Sequence, residues 1–209
     1  MPLFEAVVQS VAEARVAEAA GVDRLELCVA LAEDGLTPPP ELTRAVVAAV
    51  RLPVHTMVRA RPGPFLVDEA GLSLLERHCA EQRAAGARGL VLGILDDRSA
   101  VDVAATARLV RAARPCVVTF HRAFDRVPDR SAALEALIGL GIERVLTSGG
   151  AADAYLGRAA LRTLVEAAAG RIVVMAGGGV RPHNWRAIVA ASGVPELHGS
   201  VALCTRTTS

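Results

Sequence analysis

The sequence predicts an α/β fold: one small TIM-type (β/α)8 barrel over residues 1–209, with a missing or reduced eighth helix. Three observations predict it. Eight short runs rich in β-branched residues alternate with seven alanine- and leucine-rich stretches. Strict alternation of this kind calls for parallel strands joined by helical crossovers. The strand runs also carry charged residues on one face, which suits a closed interior better than a doubly wound sheet, the rival arrangement.

Each element has a local cause. The first strand, Leu3–Val8, leads into a helix near 11–20, where Ser10 and Glu13 form a capping box. The second strand, Arg24–Cys28, is followed by Pro38-Pro39-Pro40, a stiff loop opening a helix near 40–50. After the third strand, Val54–Val58, Asp68 caps a helix near 68–85 whose Leu72, Leu75 and Cys79 share a face. The fourth strand, Gly89–Leu92, precedes a helix near 100–113. The fifth, Cys116–Phe120, precedes a helix near 131–140, with Ser131 as its cap. The sixth, Arg144–Thr147, is followed by a helix near 154–169. After the seventh, Ile172–Met175, Pro182 opens a helix near 182–191, where its missing N–H does no harm. The eighth is Glu196–His198. Gly21, Gly86, Gly141 and Gly170 follow helix ends, where a left-handed residue is wanted.

Nine residues follow Ser200, too few for a full eighth helix. The outer faces of the eighth and first strands, with Leu197, Phe4 and Ala6, are therefore expected to be apolar and uncovered. That predicts a symmetric homo-oligomer, a dimer through this seam. The alternatives are that Val201–Thr208 folds back as a cover, or that the seventh helix shifts across.

Composition excludes several function classes. A net charge of +1, from 23 basic and 22 acidic residues, offers no field for nucleic acid or an anionic membrane. Aromatics are 3%, too few for base-stacking platforms. Mean hydropathy is high, at +0.38, but no apolar run reaches the length of about 18 residues that a membrane span needs. The start of the chain lacks the features of a secretory signal, so a cytosolic location is expected. Cys28, Cys79, Cys116 and Cys204 are too widely spaced for a zinc knuckle or disulfide framework and read as reduced thiols. Every basic residue is arginine. Without lysine there is no Schiff-base chemistry, no lysine-linked cofactor and no P-loop.

The candidate site residues lie where strands end. Glu5, Glu26, Arg59, His121, Thr147 and His198 point inward or sit at the C-terminal rim. One reading is a ligand site, since barrel sites lie on that face. Glu5 or Glu26 would be the base and His121 or His198 the acid. The other is a buried network of ion pairs filling the barrel. Thr147-Ser148-Gly149-Gly150, Gly177-Gly178-Gly179 and Gly199-Ser200 follow the last three strands. Their backbone N–H groups suit a phosphate, or the glycines simply make tight turns. Arg59 and Arg61 fit a carboxylate or phosphate, although Arg61 also reads as a solvated surface residue. His78 and His183 read as surface residues.

Several strings together resemble the CutC copper-homeostasis family. They are Gly21–Cys28, Thr119-Phe120-His121-Arg122-Ala123-Phe124-Asp125, Glu143–Gly149, Met175–Val180 and Leu197-His198. The resemblance runs over nearly the whole chain. It implies a TIM barrel in the cytosol and a role in copper tolerance, and it implies no particular reaction. It adds Arg122 and Asp125 to the ligand-binding candidates. Copper(I) takes thiolate or imidazole ligands, so Cys28 and His198 are the candidate pair; the alternative for Cys28 is an inert buried thiol. This chain departs from the family at three points. Val7 stands where some relatives carry a cysteine, so Cys28 has no thiolate partner there. Pro64 replaces an acidic residue in the arginine loop. Relatives also continue well past the eighth strand. Two functions follow: a copper-homeostasis protein acting through binding or regulation, or a barrel enzyme on a small anionic or phosphorylated metabolite.

Overall fold

The computed structural model describes residues 1–200. Cys204 and the expected cover at Val201–Thr208 lie outside the described residues. Eight parallel strands pair in chain order and the last returns to the first, closing a barrel. They are β1 (Leu3–Val8), β2 (Arg24–Leu27), β3 (Val54–Met57), β4 (Gly89–Leu92), β5 (Val117–Phe120), β6 (Arg144–Thr147), β7 (Val173–Ala176) and β8 (Glu196–Ser200). The helices are α1 (Val11–Ala19), α2 (Pro40–Ala49), α3 (Glu69–Ala84), α4 (Val103–Ala113), α5 (Arg130–Gly139), α6 (Arg158–Ala168) and α7 (Trp185–Ser192). Among the described residues, none is long and apolar enough to cross a membrane.

Alternation sorts the strand residues into two sets. Leu25, Leu27, Leu90, Leu92, Val118, Phe120, Val145 and Val174 are buried with the helix faces in one apolar cluster. Their sequence neighbours turn into the barrel, and that set mixes the polar Glu5, Arg24, Glu26, His55 and Arg144 with a small apolar cluster of Val7, Cys28, Met57 and Val91. Glu5 stands opposite Arg24 in the β1–β2 ladder and opposite His198 in the closing β8–β1 ladder. The β2–β3 ladder pairs Glu26 with His55.

Glycine makes room in this interior. A Cβ at Gly89 would lie 2.6 Å from the His55 ring, and one at Gly93 would lie 2.6 Å from His121 Nδ1. Both imidazoles therefore occupy space left by a missing side chain, in β4 at Gly89 and just after it at Gly93.

The helix starts follow side-chain acceptors. Ser10 accepts from Glu13 N–H, while Glu13 Oε2 reaches back to Gln9 N–H rather than to that of Ser10. Asp68 caps α3 and Asp102 caps α4. Two expectations need correction. The cap of α5 is Asp129, which accepts from Ala132 N–H, so Ser131 lies inside the helix. Pro182 does not open α7. It sits in a turn ahead of the helix, where Arg181 N–H donates to Asn184 Oδ1. Gly21, Gly86, Gly141 and Gly170 all have positive φ, as a helix exit requires.

The seam between β8 and β1 is covered. Leu197 and Ala6 are fully buried, and Phe4 is 6% exposed. Trp185, at the start of α7, packs edge-on against Phe4 with ring centroids 5.2 Å apart. The expected bare apolar strip is not seen among the described residues, and Trp185 of the seventh helix covers Phe4.

Candidate functional site

The lower barrel is a polar ladder. Arg24 on β2 pairs with Glu5 on β1 and, through Nη2, with Glu196 Oε2 on β8 at 2.5 Å. Arg144 on β6 grips the same Glu196 from the other side, with Nε to Oε2 at 2.6 Å and Nη2 to Oε1 at 3.1 Å. Burial alone would raise both carboxyls. The His198 hydrogen bond and Arg24 charge outweigh it at Glu5, and the two arginines outweigh it at Glu196, so both lie below the usual carboxylate range. His55 stands 3.8 Å from Glu5 Oε2, and burial pulls it down to about 4.

Above this ladder the barrel opens into a cavity of about 400 Å³. Glu26 and His198 form its floor. His198 Nδ1 lies 2.8 Å from Glu5 Oε1. Burial lowers the imidazole, but the charge of Glu26 and the bond to Glu5 outweigh it and raise its pKa. Glu26 has no such support. Its Oε2 is buried with no hydrogen-bond partner among the described residues. Burial, aided by the charge of Glu5, pushes Glu26 up to about 7 against the pull of His198 and Arg24. Glu5, Glu26 and His198 bring one donor atom each within 4.8 Å of one another.

The cavity wall carries His121 and Arg59. His121 Nδ1 accepts from Ala123 N–H at 3.2 Å, which leaves the ring proton on Nε2. Burial, with Arg59 adding to it, lowers His121 to about 3, so the ring is neutral. The Arg59 guanidinium donates to the carbonyls of Glu33 (2.6 Å), Gly35 (3.3 Å) and Gly63 (3.0 Å). It thereby ties the loops after β2 and β3 together.

The outer rim is built around Asp125. Its Oδ1 accepts from Thr147 Oγ1 (2.5 Å), Ser148 N–H (2.9 Å) and Gly150 N–H (3.1 Å). Its Oδ2 accepts from Arg122 Nε at 2.8 Å. The loop after β6 is an anion nest, and the chain's own carboxylate sits in it. The loop after β7 differs. Gly178 and Gly179 have φ of +88° and +69°, and a Cβ at Gly178 would lie 2.9 Å from the Arg122 guanidinium carbon. Their carbonyls are engaged by Ala154 N–H and the Asn184 amide.

A sequence model of the CutC family matches residues 3–203. The chain belongs to the CutC family. It is 43% identical over 198 residues to a human protein named copper homeostasis protein cutC homolog, covering 95% of this chain and 72% of that one. A CutC protein of Histophilus somni is 42% identical over 195 residues, covering 93% and 80%. Among solved structures, a copper homeostasis protein CutC from Streptococcus agalactiae superposes with a TM-score of 0.91 at 30% identity, covering both chains fully. An aldolase at 19% identity and TM-score 0.71 shares the barrel, and at that identity the likeness concerns the fold alone.

The CutC strings converge on the mouth. Glu26, Arg59, His121, Arg122, Asp125 and His198 line one cavity, as do Gly178, Gly179 and Ser200. Glu5 lies beneath it, bonded to His198. Thr147, Ser148 and Gly149 support Asp125 or one another, with Gly149 N–H donating to Thr147 Oγ1 at 2.8 Å. Gly177 packs against the interior, where a Cβ would lie 2.4 Å from Leu146. Arg61 is apart from the mouth, exposed, with Nη2 3.3 Å from Leu66 O. Cys28 is fully buried, packed with Val7, Met57 and Val91, and its thiol is pushed up to about 12 chiefly by burial. His183 is exposed, but His78 is half-buried rather than a free surface residue. The sequence reading missed Arg24, His55, Arg144 and Glu196, and also Arg181 at the rim.

These donors do not fit copper(I). Among the described residues, the convergent set is two carboxylate oxygens and an imidazole, whereas copper(I) prefers sulfur. Cys28 does not belong to that set; it is packed with Val7, Met57 and Val91 and burial pushes its thiol up, so a metal there would have to displace its proton.

Proposed function

We propose that this CutC-family chain binds a small anionic metabolite, carboxylated or phosphorylated, at the barrel mouth and moves a proton there through Glu26 and His198. The observation that carries the reading is Glu26, a 3% exposed carboxyl with an unpartnered oxygen on the floor of a cavity. A buried polar atom left without a partner is costly in a purely structural role. Glu5 keeps its charge and holds His198 by Nδ1; Glu26 is the group free to exchange a proton. Arg122 and Arg181 at the rim, beside Gly178 and Gly179, supply positive charge for the anion. The three described cysteines are free thiols, which supports the cytosolic location.

Calorimetric titration with inorganic phosphate and phosphoglycolate tests the binding. Both should bind, and Arg122→Ala should weaken them about tenfold or more, the cost of one charge-assisted hydrogen bond. If neither ligand binds, or if Arg122→Ala changes nothing, the mouth is not an anion site.

The copper reading rests on the family and on the copper-homeostasis name of its human relative. Cys28 with His198 remains its candidate pair. Titration of reduced protein with copper(I) decides it. We expect no tight stoichiometric binding and no difference for Cys28→Ser. Tight binding that Cys28→Ser abolishes would make this chain a copper(I) protein.

A further inference from the structure

The mouth holds a second unpartnered group, opposite in kind to Glu26. His121 is 4% exposed, and its Nε2 has no hydrogen-bond partner among the described residues. The same is true of Nε of the neighbouring Arg59. Neither side chain is free to move. The His121 ring is fixed by Ala123 N–H, by Phe65 at 4.9 Å and by Phe120 at 6.0 Å, and fits against Gly93. Three backbone carbonyls hold Arg59, whose guanidinium carbon lies 5.1 Å from the same Phe65 ring. Two rigid, buried N–H donors thus share one aromatic neighbour and have no acceptor.

From this geometry we infer that the metabolite carries a carbonyl group, and that His121 Nε2–H, seconded by Arg59 Nε–H, receives its oxygen while Glu26 removes a proton from the adjacent carbon. The inference rests on the reading of the mouth as an anion site and names the substrate class within it. Glu26 lies on β2 and His121 follows β5, so a molecule spanning the cavity meets the carboxylate on one side and His121 on the other, with Arg59, after β3, between them. The step is balanced. The C–H electron pair forms a carbon–carbon double bond, the carbonyl pair moves to oxygen, and the proton rests on Glu26. It then returns to the same carbon, and the pair on oxygen reforms the carbonyl. No redox partner is needed, and the absence of lysine fits a route through an enolate rather than an imine. Donors that need no reorganisation stabilise charge as it appears on oxygen. The rim arginines Arg122 and Arg181 suit the anionic end, which leaves the His121 and Arg59 donors for the carbonyl oxygen.

The test is exchange of carbon-bound hydrogen for deuterium, followed by proton NMR in heavy water. The two probes are dihydroxyacetone phosphate and pyruvate. At least one should exchange faster with the protein than in buffer, and Glu26→Gln should abolish the gain. His121→Leu should slow exchange by about 10²–10³-fold, the usual loss for one such donor, with phosphate affinity unchanged. His121→Gln, which keeps an N–H at similar reach, should recover part of it. Should the leucine variant not fold, nitrogen NMR of the wild type serves: the His121 ring should read as the neutral Nε2–H form and shift on adding the active probe. Phosphate binding without exchange of either probe overturns this inference and leaves the anion site standing. Loss of both overturns the two together. Exchange that is indifferent to His121→Leu, or a His121 ring that does not respond to the active probe, removes the role given to His121.

Discussion

Glu5 and Glu26 are both buried carboxyls, and partners alone separate their chemistry. Glu5 has Arg24 and His198; Glu26 Oε2 has nothing. Removing Arg24 should therefore be severe. Arg24→Met strands Glu5 and weakens the hold on Glu196, at a cost of about 3–5 kcal/mol, the usual loss when one member of a buried pair goes. Urea unfolding measures this, and a loss below about 1 kcal/mol would mean that the ladder relaxes freely. Glu5, Glu26, His121 and His198 were legible in the sequence as polar residues on or just after predicted strands. Arg24, His55, Arg144 and Glu196 also lie within predicted strands, yet their importance was not legible. Which arginine meets which glutamate depends on the register of the closing ladder, and residues 172 apart, Arg24 and Glu196, give no local sign of contact.

At the scale of elements, propensity and capping located every strand and α-helix, with errors at their ends, but not the short 3-10 helices Leu31–Glu33 and Arg122–Arg126. Ser131 and Asp129 are both good caps, and only the backbone path shows that Asp129 faces Ala132 N–H. Gly89 and Gly93 were less legible still. A glycine in a strand signals close approach, but the approaching ring comes from a neighbouring strand. Gly89→Ala should destabilise the barrel by about 1–3 kcal/mol, because its Cβ would enter the His55 ring. Combined with His55→Ala, the two losses should be less than additive in thermal unfolding. Strict additivity would mean that ring and glycine do not share that space.

For the whole molecule, the buried groups set an acid limit. His55 and His121 fall from 6.5 to about 4 and about 3, so the stability they contribute is complete above 6.5 and is lost as pH falls toward those values. Glu5 and Glu196 are lowered from 4.5, and their contribution, present above 4.5, is lost further down. Glu26 has the opposite sign. Raised from 4.5 to about 7, it contributes below 4.5 and loses that contribution as pH rises through 7. His198, raised from 6.5, contributes below 6.5 and loses this above it. Melting temperature should fall as pH drops below about 6.5, where His55 and His121 outweigh the opposing Glu26, and Glu26→Gln should steepen that fall between pH 7 and 4.5. An unchanged slope over that range would show Glu26 to be ionised throughout it. Assembly is decided at this scale too. With Phe4 and Leu197 covered, the seam no longer calls for a dimer. Light scattering at micromolar concentration should give the monomer mass; a dimer broken by Phe4→Ala would restore the seam.

Asp125 acts as a tethered guest in the loop after β6, taking the place that a free anion would occupy. Cutting it back to glycine leaves the N–H groups of Ser148 and Gly150, the Thr147 hydroxyl and Arg122 converging on a receptor with no occupant of its own. Asp125→Gly should then lose stability and regain part of it in formate or acetate, in proportion to the salt added, while chloride at equal ionic strength does less. A barrel that carries its own counter-ion at the rim can in this way be turned into one that borrows it from solution.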